Sequence, residues 1–280
     1  MNNNEVIIVK ASGEKVPFNP RKLETSLLKS GASETVVHEI LSEIQNIFSE
    51  EMTTKEIYKK AFSILKKRNN STAARYKLKK SLLELGPSGF AFEKLVAKIL
   101  EFQGYRTKVG KIVQGNCVNH EIDVVAQNPT EYVMVECKFH NEAKRICDVK
   151  VPLYIHSRFM DVEKRRTALP KKDSKIHKGL IVTNTRFTID AVTYGKCVGL
   201  KLISWDYPKN NSLKELIDKS GLHPITSLTK LSIAEKQKLL KMGKVLSSDI
   251  CKNPSLLETI GVSSRRQKNI LREAHDLCDI

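Results

Sequence analysis

The spacing of apolar and polar positions changes several times along the chain, and each change marks an element. Val6-Ile7-Ile8-Val9-Lys10, the turn residues Ala11-Ser12-Gly13, and Glu14-Lys15-Val16-Pro17-Phe18 predict two short strands joined as a hairpin. Asn19 before Pro20 is a helix-start signal; Leu23, Leu27 and Leu28 then recur at helical spacing, and Gly31 ends the run. Helices are expected over 34–48, from Thr53 or Thr54 to Lys67 with Ile57, Ala61, Ile64 and Leu65 on one face, and over 71–85. Gly86-Pro87-Ser88-Gly89 punctuates the chain and closes a first unit.

Beyond it the period alternates. A helix over 92–103 precedes an apolar strand ending in Asp123-Val124-Val125-Ala126, a second strand over 132–138 and a helical stretch over 148–162. A charged region over 163–178 leads into the strand Gly179-Leu180-Ile181-Val182-Thr183, a helix over 188–198 and a strand over 200–204. Helices interleaved with strands in this order predict an α/β sandwich with a mixed central sheet. After the polar linker over 206–212 no strand signal follows. Breaks at Gly221, Pro224, Gly243, Pro254 and Gly261 predict a small, separate all-helical domain of short helices. The expected organisation is thus 1–87, 88–208 and 221–280.

Charge narrows the partner. Lys and Arg number 48 against 31 Asp and Glu, a formal net charge of +17, which points to a polyanion and first to nucleic acid. The sequence contains neither a long uncharged apolar run nor a basic, apolar N-terminus, so a membrane is not expected. The opening Met1 to Asn4, then Glu5, points to a cytoplasmic protein. Cys117, Cys137, Cys147, Cys197, Cys251 and Cys278 form no C-x-x-C pair, so zinc and a disulfide framework are not indicated, and a reducing compartment fits.

The chemistry is concentrated in the middle unit. Phosphodiester hydrolysis at neutral pH needs a hard cation on the phosphate and a positive group near the developing charge. Asp123 on one apolar strand and Glu136-Cys137-Lys138 on the next supply carboxylates and a lysine, with Asn128-Pro129-Thr130 as the turn between them. Glu136 and Lys138, two apart, share one face, while Val135 and Cys137 face the core. Ionisable groups in such apolar runs are costly without partners, and they read as a site. Glu121 is two before Asp123 on the same face, either beside the site or merely exposed; His120 alternates away and reads as structural.

These residues resemble the D…E-x-K motif of the PD-(D/E)xK nucleases, and more closely the Mrr-like restriction endonucleases. The resemblance runs through Gly89-Phe90-Ala91-Phe92-Glu93, His120-Glu121-Ile122-Asp123, Val135-Glu136-Cys137-Lys138 and Val182-Thr183-Asn184-Thr185-Arg186-Phe187-Thr188 with Ala191 and Tyr194, over about 89–205. It implies that Asp123 and Glu136 bind Mg2+ or Mn2+, that Lys138 positions the attacking water, and that Glu93 adds a helix carboxylate. The function implied is a DNA endonuclease of restriction or defence type. Its alternative is a nucleotide-sensing nucleic-acid-binding regulator that does not cut. One such site per chain needs two subunits or two encounters to cut both strands, so a homo-oligomer is expected.

Two flanking resemblances complete the reading. Val6 to Leu23, and more weakly the chain to Leu85 through Thr53-Thr54 and Arg75-Tyr76, resembles an ATP-cone. That implies ATP or dATP as a regulatory ligand, with Lys10, Lys15 and Lys22 as the residues that meet its phosphates. There is no G-x-x-x-x-G-K-[ST] run, so an ATP-driven motor is not suggested. The tail from Leu228 resembles paired helix-hairpin-helix elements, which implies DNA-phosphate contacts by Arg265, Arg266 and Lys268. Ser263 stands where a second glycine is usual in that family, and a protein-docking helical module is the other reading of the tail.

Overall fold

The computed structural model describes residues 6–10, 12–49, 52–168 and 175–278. The first five residues, Ala11 of the expected turn and residues 169–174 of the charged connection lie outside the described residues.

The N-terminal hairpin forms as β1 (Ile7–Val9) antiparallel to β2 (Lys15–Pro17). Asn19 caps α1 (Pro20–Leu28) by accepting from the Lys22 N–H, and Ser33 caps α2 (Glu34–Asn46). Thr53 and Glu56 make a reciprocal capping box at the start of α3 (Thr54–Arg68), whose buried residues are Ile57, Ala61, Ile64 and Leu65. The single helix expected over 71–85 is two, α4 (Asn70–Tyr76) and α5 (Leu78–Leu83), divided at Lys77. The division has a tertiary cause. Lys77 turns inward, where its Nζ donates to Glu84 at 2.8 Å and to the Thr226 carbonyl at 3.2 Å.

The central unit is a three-layer sandwich. Its sheet has the order β3 (Arg106–Gln114), β4 (Asn119–Gln127), β5 (Glu131–Lys138), β7 (Ile176–Thr183), β9 (Lys201–Ile203). The first three strands are antiparallel neighbours and the last three are parallel. A small pair, β6 (Ile146–Cys147) with β8 (Arg186–Phe187), lies outside it. Helix α6 (Phe90–Phe102) covers one face, packing Phe92, Leu95 and Val96 on Val124, Val135, Cys137 and Val182. Helices α7 (Lys150–Thr167) and α8 (Ile189–Cys197) cover the other, where Ile155 meets Ile181 and Val162 meets Met134. Two expectations change. Strand β3 was not anticipated, and Asp123 sits in the middle of β4 rather than at its end.

After β9 the chain is helical: α9 (Leu213–Ser220), a short 3₁₀ turn (Ile225–Ser227), α10 (Ile233–Lys241), α11 (Ser247–Lys252), α12 (Ser255–Thr259) and α13 (Ser264–Cys278). Gly243 and Gly261 take positive φ of 73° and 86° and turn α10 toward α11 and α12 toward α13. The cores cross the sequence boundaries. Leu78, Leu82 and Leu85 from α5, Leu213 and Ile217 from α9, and Val245 and Leu246 all pack into the cluster that holds α6 on the sheet. Ala74 of α4 packs into the tail's own core with Ile250, Ile270 and Leu277.

This sharing sets where the chain can be divided. A fragment starting at Asn70 retains α5 on α6, whereas one starting at Ser88 exposes the face that Leu78, Leu82 and Leu85 cover. The fragment 70–280 is therefore expected to melt several degrees above 88–280 in thermal denaturation, since each fully buried leucine contributes about 1.5–3 kcal/mol.

Candidate active site

The site lies where two strands part. β4 pairs with β5 only as far as Val124 opposite Val135, and beyond that point it follows β3 to Asn119. β5 instead continues along β7 to Lys138 opposite Thr183. In the opening the Asp123 carboxylate accepts from the Cys137 N–H at 2.7 Å, satisfying a main-chain donor that β4 no longer meets. Glu136, 7% exposed, is held on both oxygens: Oε1 lies 2.6 Å from Lys138 Nζ and Oε2 2.9 Å from Arg158 Nη1.

Acid groups accumulate in this opening. Burial pushes the Glu93 carboxyl on α6 up to about 7, and the charges of Asp123, Glu121 and Glu136 add to the shift. Asp123 is also raised, first by burial and then by Glu136, against the Cys137 N–H and the cations of Lys138 and Arg158. Among the described residues no three His, Cys, Asp or Glu side chains are grouped closely enough to hold a metal as they stand. A hard cation here would thus take Asp123 and Glu136, with Glu93 moving in, and fill its shell from water or phosphate oxygen.

The end of β5 is fixed from β7. Thr183 donates to the Lys138 carbonyl at 2.7 Å, and Asn184, 1% exposed, accepts from the His140 N–H at 2.9 Å and donates to the His140 carbonyl at 2.6 Å. The Thr-Asn step after the β7 strand therefore clamps the chain that carries Lys138. His120 is structural: its Nε2 lies 2.8 Å from Asp161 Oδ2, and the same carboxylate caps the Cys117 and Val118 N–H groups. Glu121 has an exposed side chain, and its main-chain carbonyl accepts from Arg158. Arg158 is the site residue that sequence reasoning missed, because one arginine in a polar helix has the signature of a solvated charge.

The flanking candidates fall in two places. Lys10 and Lys22 line a pocket of about 270 Å3 between the hairpin and α1 and α3, while Lys15 is exposed on β2. The pocket is also lined by Tyr58 and Tyr76, stacked with ring centroids 5.1 Å apart, and the buried Tyr58 hydroxyl finds no hydrogen-bond partner among the described residues. In the tail Arg265 and Lys268 are exposed on α13. Arg266 is engaged internally, with Nη1 2.6 Å from Glu235 and Nη2 2.8 Å from the Lys230 carbonyl.

An uncharacterized protein from Archaeoglobus fulgidus is 38% identical over 180 residues, covering 64% of this chain and 97% of that one. The chain belongs to the AF1548-like family. The crystal structure of the protein of unknown function AF1548 matches this AF1548-like chain with a TM-score of 0.55 and 35% identity, over 68% of this chain and 98% of that one. Family models match an ATP cone domain over 6–82, a restriction endonuclease domain over 86–207 and an AF1548-like C-terminal domain over 223–278. The AF1548-like chain therefore carries a restriction-endonuclease-like domain between a cone and a helical tail. A more distant match is the MspJI restriction endonuclease in complex with a 27-mer oligonucleotide, 13% identical with a TM-score of 0.31, over 71% of this chain and 39% of that one. No described helix is long and apolar enough to cross a membrane.

The raised Glu93 carboxyl has a pH signature. It holds its proton more tightly in the folded chain than in the unfolded one, so stability is lost as pH rises from the ordinary carboxylate range to about 7, then levels off. Glu93→Gln is expected to melt above the wild type at about pH 8 and to lose that advantage by about pH 5. Equal melting temperatures at both values would mean that Glu93 is neither buried in the opening nor set against the other carboxylates.

Proposed function

We propose that this AF1548-like chain is a divalent-metal-dependent DNA endonuclease of restriction or defence type, with ATP or dATP as a regulatory ligand of its cone. The observation that carries the reading is the meeting of Asp123, Glu136 and Lys138 at the parting of β4 and β5. The donor set fits a hard cation of the Mg2+ or Mn2+ class: oxygen ligands only, with Glu93 and Asp123 raised first by burial and then by the neighbouring carboxylates. Such a cation, when bound, polarises the phosphate and lowers the pKa of water. Asp123 and Glu136 would hold it, and Glu93 would contribute a further carboxylate. Lys138, a third exposed beside Glu136, would orient the attacking water and offset charge on the phosphate.

The flanks supply affinity and control. The net charge of +17 gives DNA binding a large salt-dependent component, with Arg265 and Lys268 on α13 among its phosphate contacts. In the cone the paired Tyr58 and Tyr76 rings offer a stacking surface for a base, and Lys10 and Lys22 charge for a triphosphate. A homo-oligomer would bring together the two sites needed to cut both strands.

Two experiments test this reading. Supercoiled plasmid incubated with Mg2+ or Mn2+ is expected to be nicked or linearised, with cleavage abolished in Glu136→Ala and reduced by about 10²–10³ in Lys138→Ala, while DNA affinity is retained. Binding without cleavage under every metal condition would instead support a nucleotide-sensing regulator that does not cut. In thermal denaturation, saturating ATP or dATP is expected to add about 2.7 kcal/mol at a hundredfold excess over Kd, and Tyr58→Ala or Lys22→Glu to remove most of that shift. A shift unchanged in both variants would place the ligand elsewhere.

A further inference from the structure

Arg158 lies where the two site strands separate, and its contacts fall on both of them. It extends from α7, its side chain 14% exposed. Nη1 donates to Glu136 Oε2 of β5 at 2.9 Å, and Nη2 donates to the main-chain carbonyl of Glu121 on β4. These two attachments come after the last β4–β5 pair, Val124 with Val135, so one guanidinium spans the gap where the ladder has stopped. The Tyr154 ring, one helical turn earlier, lies 5.5 Å from it.

The two cations on Glu136 are not equivalent. Lys138 is 33% exposed, and its ammonium holds Glu136 Oε1 as a point charge on a flexible stem. Arg158 is more deeply set and anchored a second time by a neutral carbonyl that a divalent cation does not remove. Were a divalent cation to take Glu136, the more exposed, singly attached Lys138 would be the partner displaced and the doubly anchored Arg158 the one retained.

We infer that Arg158 is a positioning residue: its guanidinium bridges β4 to β5, fixes the Glu136 carboxylate and sets its separation from Asp123, leaving Lys138 free to act at the phosphate. The inference rests on the nuclease reading for its catalytic consequence, but the bridge is a property of the fold. A planar fork with two separated donors is required. Lysine would restore the charge without the bridge.

The experiment compares Arg158→Met and Arg158→Lys in the full-length chain. Turnover at saturating Mg2+ and DNA is expected to fall by about 10²-fold in Arg158→Met and at least tenfold in Arg158→Lys, through loss of orientation. DNA Kd measured in EDTA should stay within about threefold of wild type, because the residue acts through Glu136 rather than on the phosphate backbone. A Kd weakened in step with turnover, together with a smaller salt slope, would make Arg158 a DNA contact and overturn the proposal. So would full activity in Arg158→Lys.

A readout independent of cleavage is the melting-temperature cycle with Glu136→Gln. The double variant Arg158→Met/Glu136→Gln is expected to lose clearly less than the sum of the two single losses, since each single change leaves a buried partner behind. Additive losses would mean that the bridge does not form. A wild-type chain that cuts no DNA would defeat the nuclease reading, while this cycle would still decide the bridge.

Discussion

Everything in the site depends on β5 being unable to serve two neighbours along its whole length. It stays with β7 to Lys138, and β4 leaves it after Val124 to continue with β3. A sheet that opens in this way exposes main-chain donors and acceptors that must find other partners, since a buried unpaired one costs about 1–3 kcal/mol. The Cys137 N–H finds Asp123, and the Glu121 carbonyl finds Arg158. The residues that repair the opening are thus also those that line it. Fold and chemistry share one set of side chains.

The same opening explains the electrostatics. Val124, Val135 and Cys137 below it are packed on α6, so water reaches the carboxyls from one side only and ionisation of Glu93 and Asp123 is disfavoured. Both Glu136 oxygens are ion-paired, one with Lys138 and one with Arg158. A carboxylate held by both a mobile lysine and a fixed arginine keeps its orientation when one of them is displaced. Removing both would leave a buried charge with nothing opposite it, which is why such pairs are costly to break.

The sequence made the two-residue spacing of Glu136 and Lys138 legible, because a strand's period is fixed and the apolar Val135 and Cys137 declare the opposite face. It also revealed the helix beginning at Thr53 or Thr54 and the buried face of α3, both of which are local signals. Strand β3 was hidden because its apolar residues are diluted by Arg106, Lys108 and Lys111 on a sheet edge, where even Ile112 is 74% exposed. Arg158 and the break at Lys77 were hidden for another reason. Each is set by partners far along the chain, Glu136 in one case and the Thr226 carbonyl in the other, and no local pattern encodes them.

The shared cores bear on whether the cone can act on the restriction-endonuclease-like domain. Helix α4 carries Tyr76 into the pocket beside Tyr58, while Ala74 of the same helix sits in the tail's core and Arg75 donates to the Asp276 carbonyl of α13. Helix α5, directly after it, belongs to the core of the restriction-endonuclease-like domain. The cone is therefore not tethered by a loose linker but built into both of its neighbours. On the proposed function, a ligand in the pocket alters DNA affinity only as far as it distinguishes two arrangements of this junction, and DNA would then alter the ligand's affinity by the same factor. Reciprocity separates true coupling from coincidence: a nucleotide effect on cleavage with no DNA effect on nucleotide binding would be kinetic, acting on a step after both ligands are bound.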